Sequence, residues 1–294
     1  MRRSAFVASL SAAAAAVVLT VASPASAINT YNSQPAPERT EVGALIVQWD
    51  EDGDPATPDV VDWYCSGTMI DTDVFLTAAH CTTDWAPGAR FYVSLAQDVQ
   101  GALDAAKAVP GRTPAQVAAA VGVAGTEHTS PAYPGNSADS HDIAVITFTD
   151  KQAAALASRW SFTPATLPAR NQLASLGSRT LAASEWLAAG YGTQEAQRGP
   201  GGQTHPGGGV RMKASLGFNA LNPTWVRLAM NESRGFGGAC YGDSGGPNFL
   251  TVGGKRMLAA TTITGDGPCY ATNVVYRMDT DTARTFLGQY VTLP

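Results

Sequence analysis

Basic clusters, closely spaced cysteine pairs and, past residue 27, long apolar runs are all missing from this 294-residue chain. Each absence removes a class of function. Charged residues make up only 15% of the chain, with 19 Lys and Arg against 24 Asp and Glu, so no basic patch is available to attract nucleic acid or an anionic membrane surface. Beyond residue 27 no run of about 18 apolar residues offers a transmembrane helix. There are four cysteines, Cys65, Cys81, Cys240 and Cys269, and none forms a C-x-x-C pair. Thiols this far apart do not suggest a zinc site, and no metal or cofactor is expected. The chain has only four histidines, at 80, 128, 141 and 205, so candidates for acid–base chemistry are few.

What is present begins with an export signal. Two arginines precede an Ala/Val/Leu-rich stretch that ends in Ala25-Ser26-Ala27, the pattern of a secretory signal peptide with a small-residue cleavage site. Residues 1–27 are therefore expected to be removed, and the protein to be secreted and extracellular. Arg2-Arg3 leaves both the general and the twin-arginine routes open. Without these residues 267 remain, beginning at Ile28; two of the basic residues go with them, leaving 17 basic against 24 acidic. An even number of cysteines in an exported chain points to two disulfides, with three pairings open.

Between turn-rich segments the apolar patterning is short and strand-like, at 42–47, 68–76, 90–95, 143–148, 181–189, 226–230, 256–264 and 274–278. Short strands punctuated by Gly, Pro, Asn and Asp predict an all-β sandwich or barrel, not alternating βαβ units. Residues 115–123 and 153–160 read as helical from their alanine content, and 282–290 as a closing helix. The run 150–168 is the expected link between two halves. The glycine- and proline-rich stretch 199–209 has little side chain to bury and is expected to be a mobile loop, His205 included.

The stretch CYGDSGGP, residues 240–247, carries the clearest chemical signal. A serine hydroxyl is a weak nucleophile until a base takes its proton, so Ser244 needs a histidine and an orienting acid. Its surroundings also fit G-x-S-x-G, but in α/β-hydrolases the histidine follows the serine, and here all four precede it. The order His, Asp, Ser is supplied by TAAHC (77–81), HDIAV (141–145) and GDSGGP (242–247).

At these residues, together with CSGTMI at 65–70 and GYG at 190–192, the chain resembles the trypsin/chymotrypsin family of serine proteases, most closely its secreted bacterial branch. The resemblance implies two packed six-stranded antiparallel β-barrels with a short C-terminal helix. Residues 28–160 would carry His80 and Asp142, and residues 161–294 would carry Ser244. It makes Ser244 the nucleophile, His80 the general base and then acid, and Asp142 the group that holds the imidazole. The N–H groups of Gly242 and Ser244 would form the oxyanion hole. It pairs Cys65 with Cys81 and Cys240 with Cys269, and it implies a monomer acting on protein or peptide substrates, restrained by a protein inhibitor. Asp139 is a rival for Asp142, and His141 or His128 for His80.

The resemblance also has the α-ammonium of Ile28, freed by cleavage after Ala27, pair with Asp243. A short propeptide running to about Arg39 is the alternative. In the specificity pocket, Gly238 stands where trypsin-like members have an acid, Gly265 lies on the substrate-binding strand, and Asn273 or Val274 replaces a pocket-wall glycine. That pattern is expected to favour small or medium apolar side chains, with Asp266 a nearby charge for a basic one. Ile263-Thr264-Gly265 departs from the family's Ser-Trp-Gly, so the hydrogen bond that the serine gives the triad acid is lost. A catalytically silent binding protein on the same fold is the alternative function.

Overall fold

The strands predicted from short apolar runs close on themselves in a computed structural model that describes residues 28–54 and 56–294. The expected signal peptide, residues 1–27, lies outside the described residues. A short strand β1 (Ser33–Pro35) leads into β2 (Val42–Trp49), β3 (Val60–Met69), β4 (Val74–Thr77), β5 (Arg90–Ser94), β6 (Val123–Thr129) and β7 (Ala144–Thr147). Strands β2 to β7 form a closed antiparallel barrel in the order β2-β3-β4-β7-β6-β5. The second barrel uses β8 (Glu185–Gly190), β11 (Met212–Leu221), β12 (Trp225–Ala229), β13 (Pro247–Val252), β14 (Lys255–Gly265) and β15 (Thr272–Arg277). It closes through pairing of β8 with both β11 and β13, and β1 adds to its outside along β11. The hairpin β9 (Gln197–Gly199) and β10 (Gly202–Thr204) stands apart.

Seven consecutive residues of β2, from Val42, are buried, as expected of a strand covered on both faces. One apolar cluster runs from Val42, Leu76 and Val145 of the first barrel to Phe249, Leu258 and Tyr276 of the second, so the two barrels share a continuous core. Helices α1 (Val99–Lys107) and α2 (Pro114–Val121) bury Leu103, Val117 and Val121 in that cluster. A reciprocal Thr113/Gln116 capping box starts α2. Helix α3 (Asp150–Arg159) follows β7, α4 (Gln172–Ala183) precedes β8, and α5 (Asp281–Leu287) closes the chain. The boundary expected at residue 160 falls between α3 and α4.

The structure redraws several elements. The run 68–76 is not one strand but a hairpin, the end of β3 and most of β4, with Thr68 opposite Leu76. The first part of 181–189 is helical: α4 breaks at Gly177 (φ 72°), and its two segments bury Leu173 before the break and Leu181 after it. The stretch 199–209 is not merely a loop: Gly208 packs so closely on Trp63 that an added Cβ would lie 2.6 Å from its ring, and His205 hydrogen-bonds Gln194 O at 3.1 Å. Glycine is there because a backbone must touch an indole.

The β3–β4 contact is equally tight, since a Cβ on Gly67 would collide with the Leu76 carbonyl and the Phe75 ring. Gly67→Ala should therefore lower the free energy of unfolding by about 1–3 kcal/mol. An unchanged urea midpoint would show that β3 and β4 separate freely.

Candidate active site

His80 sits on a single 3₁₀ turn (Ala79–Cys81) just after β4, and the Cys65–Cys81 disulfide ties that turn to β3. Asp142 lies just before β7. Its Oδ1 accepts from the His80 backbone N–H at 3.0 Å, and its Oδ2 lies 2.8 Å from His80 Nδ1. A carboxylate oxygen accepts, so Nδ1 donates and Nε2 keeps the lone pair. The acid is 9% exposed and the imidazole 28%, so one member is sheltered and the other can reach a substrate.

The rivals are occupied elsewhere. Asp139 Oδ1 accepts from the Tyr276 hydroxyl at 2.8 Å and from the His141 N–H at 3.0 Å, and its distance to His141 Nδ1 is 3.9 Å. His128 Nε2 lies 2.9 Å from Thr147 Oγ1, and the ring packs on Tyr290. Ile263 replaces the expected serine, and among the described residues only His80 hydrogen-bonds Asp142.

Ser244 belongs to the second barrel, in the turn before β13. It lines the same cleft of ≈ 520 Å³ as His80, without a hydrogen bond between their side chains. Gly242 holds φ at 91°, a conformation that favours glycine, and the N–H groups of Gly242 and Ser244 bond no acceptor among the described residues. The Cys240–Cys269 disulfide lies beside this turn. Each disulfide brings a histidine near its sulfurs, but those sulfurs bond each other, so neither Cys65/His80/Cys81 nor His205/Cys240/Cys269 offers thiolates to a metal.

Sequence reasoning assigned no role to Ser66 or Trp63, which hold the turn from the other barrel. Ser66 Oγ donates to Gly242 O at 2.9 Å and accepts from Tyr191 N–H at 2.9 Å, while Ser66 N–H donates to Ser244 O at 2.9 Å. One fully buried serine thus fixes the carbonyls on either side of Asp243, and the Trp63 ring abuts Gly242.

Asp243 is 2% exposed. Its oxygens accept from Gly192 N–H at 2.8 Å and Cys240 N–H at 2.9 Å, and burial pushes its pKa up to about 7 despite those bonds. Among the described residues no cation pairs with it. Ile28 is fully buried nearby, with its N–H donating to Gly192 O at 3.1 Å, so Gly192 bonds both residues.

Of the residues expected to shape the specificity pocket, Gly265 and Asn273 line the cleft, whereas Gly238 and Val274 do not. Asn273 pairs with Gly265 and Val274 with Thr264; alternation along β15 turns Asn273 inward, 1% exposed, and Val274 the other way. Gly238 is backed by Met230 and Leu216. Asp266 lines the cleft, but its carboxylate accepts from the N–H groups of Tyr270, Ala271 and Thr272.

Two barrels with Ser, His and Asp gathered at their junction define the chymotrypsin-like class of serine protease fold. A family model described as Trypsin matches residues 56–283, and the chain belongs to the trypsin family. No curated protein matches the sequence.

Loss of the Ser66 hydroxyl should loosen the Gly242 turn without unfolding the chain. Ser66→Ala is expected to slow fluorophosphonate labelling of Ser244 about tenfold. Labelling at the parent rate would show that the turn holds its shape without that bond.

Proposed function

We propose that this protein is a secreted serine endopeptidase working through an acyl-enzyme. The observation that carries the reading is the two-point hydrogen bond of Asp142 to His80, in the cleft that also holds Ser244. Ser244 Oγ attacks the substrate carbonyl carbon while His80 Nε2 takes its proton. The carbonyl oxygen becomes an oxyanion stabilised by the N–H groups of Gly242 and Ser244. Collapse breaks the C–N bond, and the leaving amine takes the proton from His80. Water then repeats the sequence on the ester, releasing the acid and restoring Ser244. Asp142 holds the tautomer that leaves Nε2 free and stabilises the imidazolium. The substrates are proteins or peptides, and the enzyme acts outside the cell as a monomer open to restraint by a protein inhibitor. No described helix is long and apolar enough to cross a membrane, and both disulfides suit an oxidising compartment.

Activation follows from Asp243. Cleavage after Ala27 would turn the Ile28 N–H, already bonded to Gly192, into an ammonium beside a buried carboxylate that lacks a cation. The next residues fit the same surface: Asn29 N–H donates to Gly238 O at 3.1 Å, Asn29 Oδ1 accepts from Gly238 N–H at 3.0 Å, and the Tyr31 hydroxyl donates to Cys269 O at 3.0 Å. A cut near Arg39 would discard all of them.

Two experiments test this. Intact mass after fluorophosphonate treatment should show one adduct on a chain beginning at Ile28 and none on Ser244→Ala; a chain beginning at Ile28 that takes no probe would favour a silent binding protein. The second is pH dependence in the unprocessed chain. The folded pKa of Asp243 lies above its ordinary 3.8, so the folded state holds the proton more tightly and loses stability as pH rises from about 4 to about 7. The loss is on the order of 4 kcal/mol across that window. Asp243→Asn should flatten the slope in denaturant titrations, and an ammonium at Ile28 should reduce it. Equal slopes in unprocessed and processed chains would remove the ion pair from the mechanism.

A further inference from the structure

We propose that the specificity pocket is built for a side chain ending in a neutral carboxamide, so that cleavage follows glutamine or asparagine. This rests on the endopeptidase reading above and names its substrate class. The observation is a group of buried polar side chains with no part in the triad: Asn248 at 0% exposure, Thr262 at 6% and Asn273 at 1%, on the adjacent strands β13, β14 and β15. Thr262 and Asn273 both line the cleft that holds Ser244.

On Thr262 and Asn273, the two that line the cleft, the hydrogen bonds leave one donor and one acceptor unused. Asn273 Nδ2 donates to Asn248 Oδ1 at 3.0 Å and to Thr262 Oγ1 at 3.3 Å, and Asn248 Nδ2 donates to Thr262 Oγ1 at 2.9 Å. With Asn248 Nδ2 donating to Thr262, turning the Asn273 amide over alone would set its oxygen against Asn248 Oδ1. Asn273 Oδ1 is then left buried without a partner. Thr262 Oγ1 already accepts twice, so its proton is the remaining valence, and among the described residues it finds no acceptor. A buried polar group without a partner is costly and is met in native structures by water or a ligand.

Charge and shape select among ligands. A primary carboxamide accepts from Thr262 through its oxygen and donates to Asn273 Oδ1 through its nitrogen. A carboxylate would satisfy Thr262 but face a second acceptor. A lysine ammonium would satisfy Asn273, yet Gly238 supplies no counter-charge and the Asp266 carboxylate is taken up by three backbone N–H groups. An aliphatic side chain would leave both groups unpaired. The preference for small or medium apolar residues expected from the sequence is replaced by a polar one.

The test is a set of peptide substrates differing only at the residue before the scissile bond, run on the processed enzyme beside fluorophosphonate labelling. Gln or Asn should exceed its carboxylate and apolar counterparts, Glu and Met or Asp and Leu, by at least about tenfold in kcat/KM. Thr262→Val should collapse the ratio of carboxamide to apolar substrate toward one, and Thr262→Ser should retain it. A labelled enzyme that prefers Leu, Met or Lys overturns the inference and leaves the peptidase reading standing. Failure of both labelling and cleavage overturns the two together.

Discussion

His80 and Asp142 come from one barrel and Ser244 from the other, so the proposed chemistry requires the two barrels to be locked to within a hydrogen bond. Much of the polar structure at their junction serves that constraint. Arg211 is 3% exposed and has no carboxylate partner among the described residues. Its Nε donates to Ala36 O at 3.0 Å, and its Nη1 to Val42 O at 2.9 Å, Leu95 O at 3.0 Å and Tyr191 Oη at 3.1 Å. A guanidinium buried among neutral acceptors is tolerable only when its donors are this well used. Tyr191 extends the clamp by donating to Ala96 O at 2.6 Å, with burial pushing its phenol up to about 12. Together they fasten the start of β2 and the end of β5 to the second barrel. Ser66 then passes that alignment to the turn that bears Ser244.

In the activation proposed above, Asp243 is the acid within this junction that awaits a partner. Its carboxylate is held by two N–H groups, enough to orient it and too few to offset its burial. Under that proposal, the geometry around Gly242 responds to what occupies the Ile28 position. The side-chain bonds of Asn29, Thr30 and Tyr31 extend that response. Thr30 bonds Glu195 twice, and Tyr31 stacks on Tyr270, so the segment touches several loops that border the cleft.

The sequence made legible whatever is local. His80, Asp142 and Ser244 each stand in a short motif whose neighbours are set by a single turn, and both disulfides form as the resemblance implied. Short strands made an all-β sandwich or barrel visible, and the resemblance implied the double barrel. Residues acting through cross-strand register were hidden. Ser66 looks like any small residue in β3 until the fold brings it to Gly242, from which it is separated by 176 positions. Asn273 and Val274 could not be told apart until pairing with Gly265 and Thr264 fixed which one points inward. Helix α4 was misread because alanine and leucine at 181–183 suit a strand as well as a helix, and the break at Gly177 leaves a segment too short for helical periodicity to show. The glycine-rich stretch 199–209 was read as empty because its partner, Trp63, lies far away in sequence.

On the specificity proposed here, the same register explains why selection falls on β14 and β15 and not on Gly238. Both backbone groups of that residue bond Asn29, and a Cβ there would run into Met230 and Leu216. A charged side chain at 238 would have to displace Met230 and disturb the seat of the N-terminal segment, so selecting substrates there would interfere with activation. The wall formed by β14 and β15 carries no such duty. Asn248, Thr262 and Asn273 can set the polarity of the cleft from that wall while the floor serves the N-terminus. Separating the two roles lets recognition change without loosening the junction that brings Ser244 to His80.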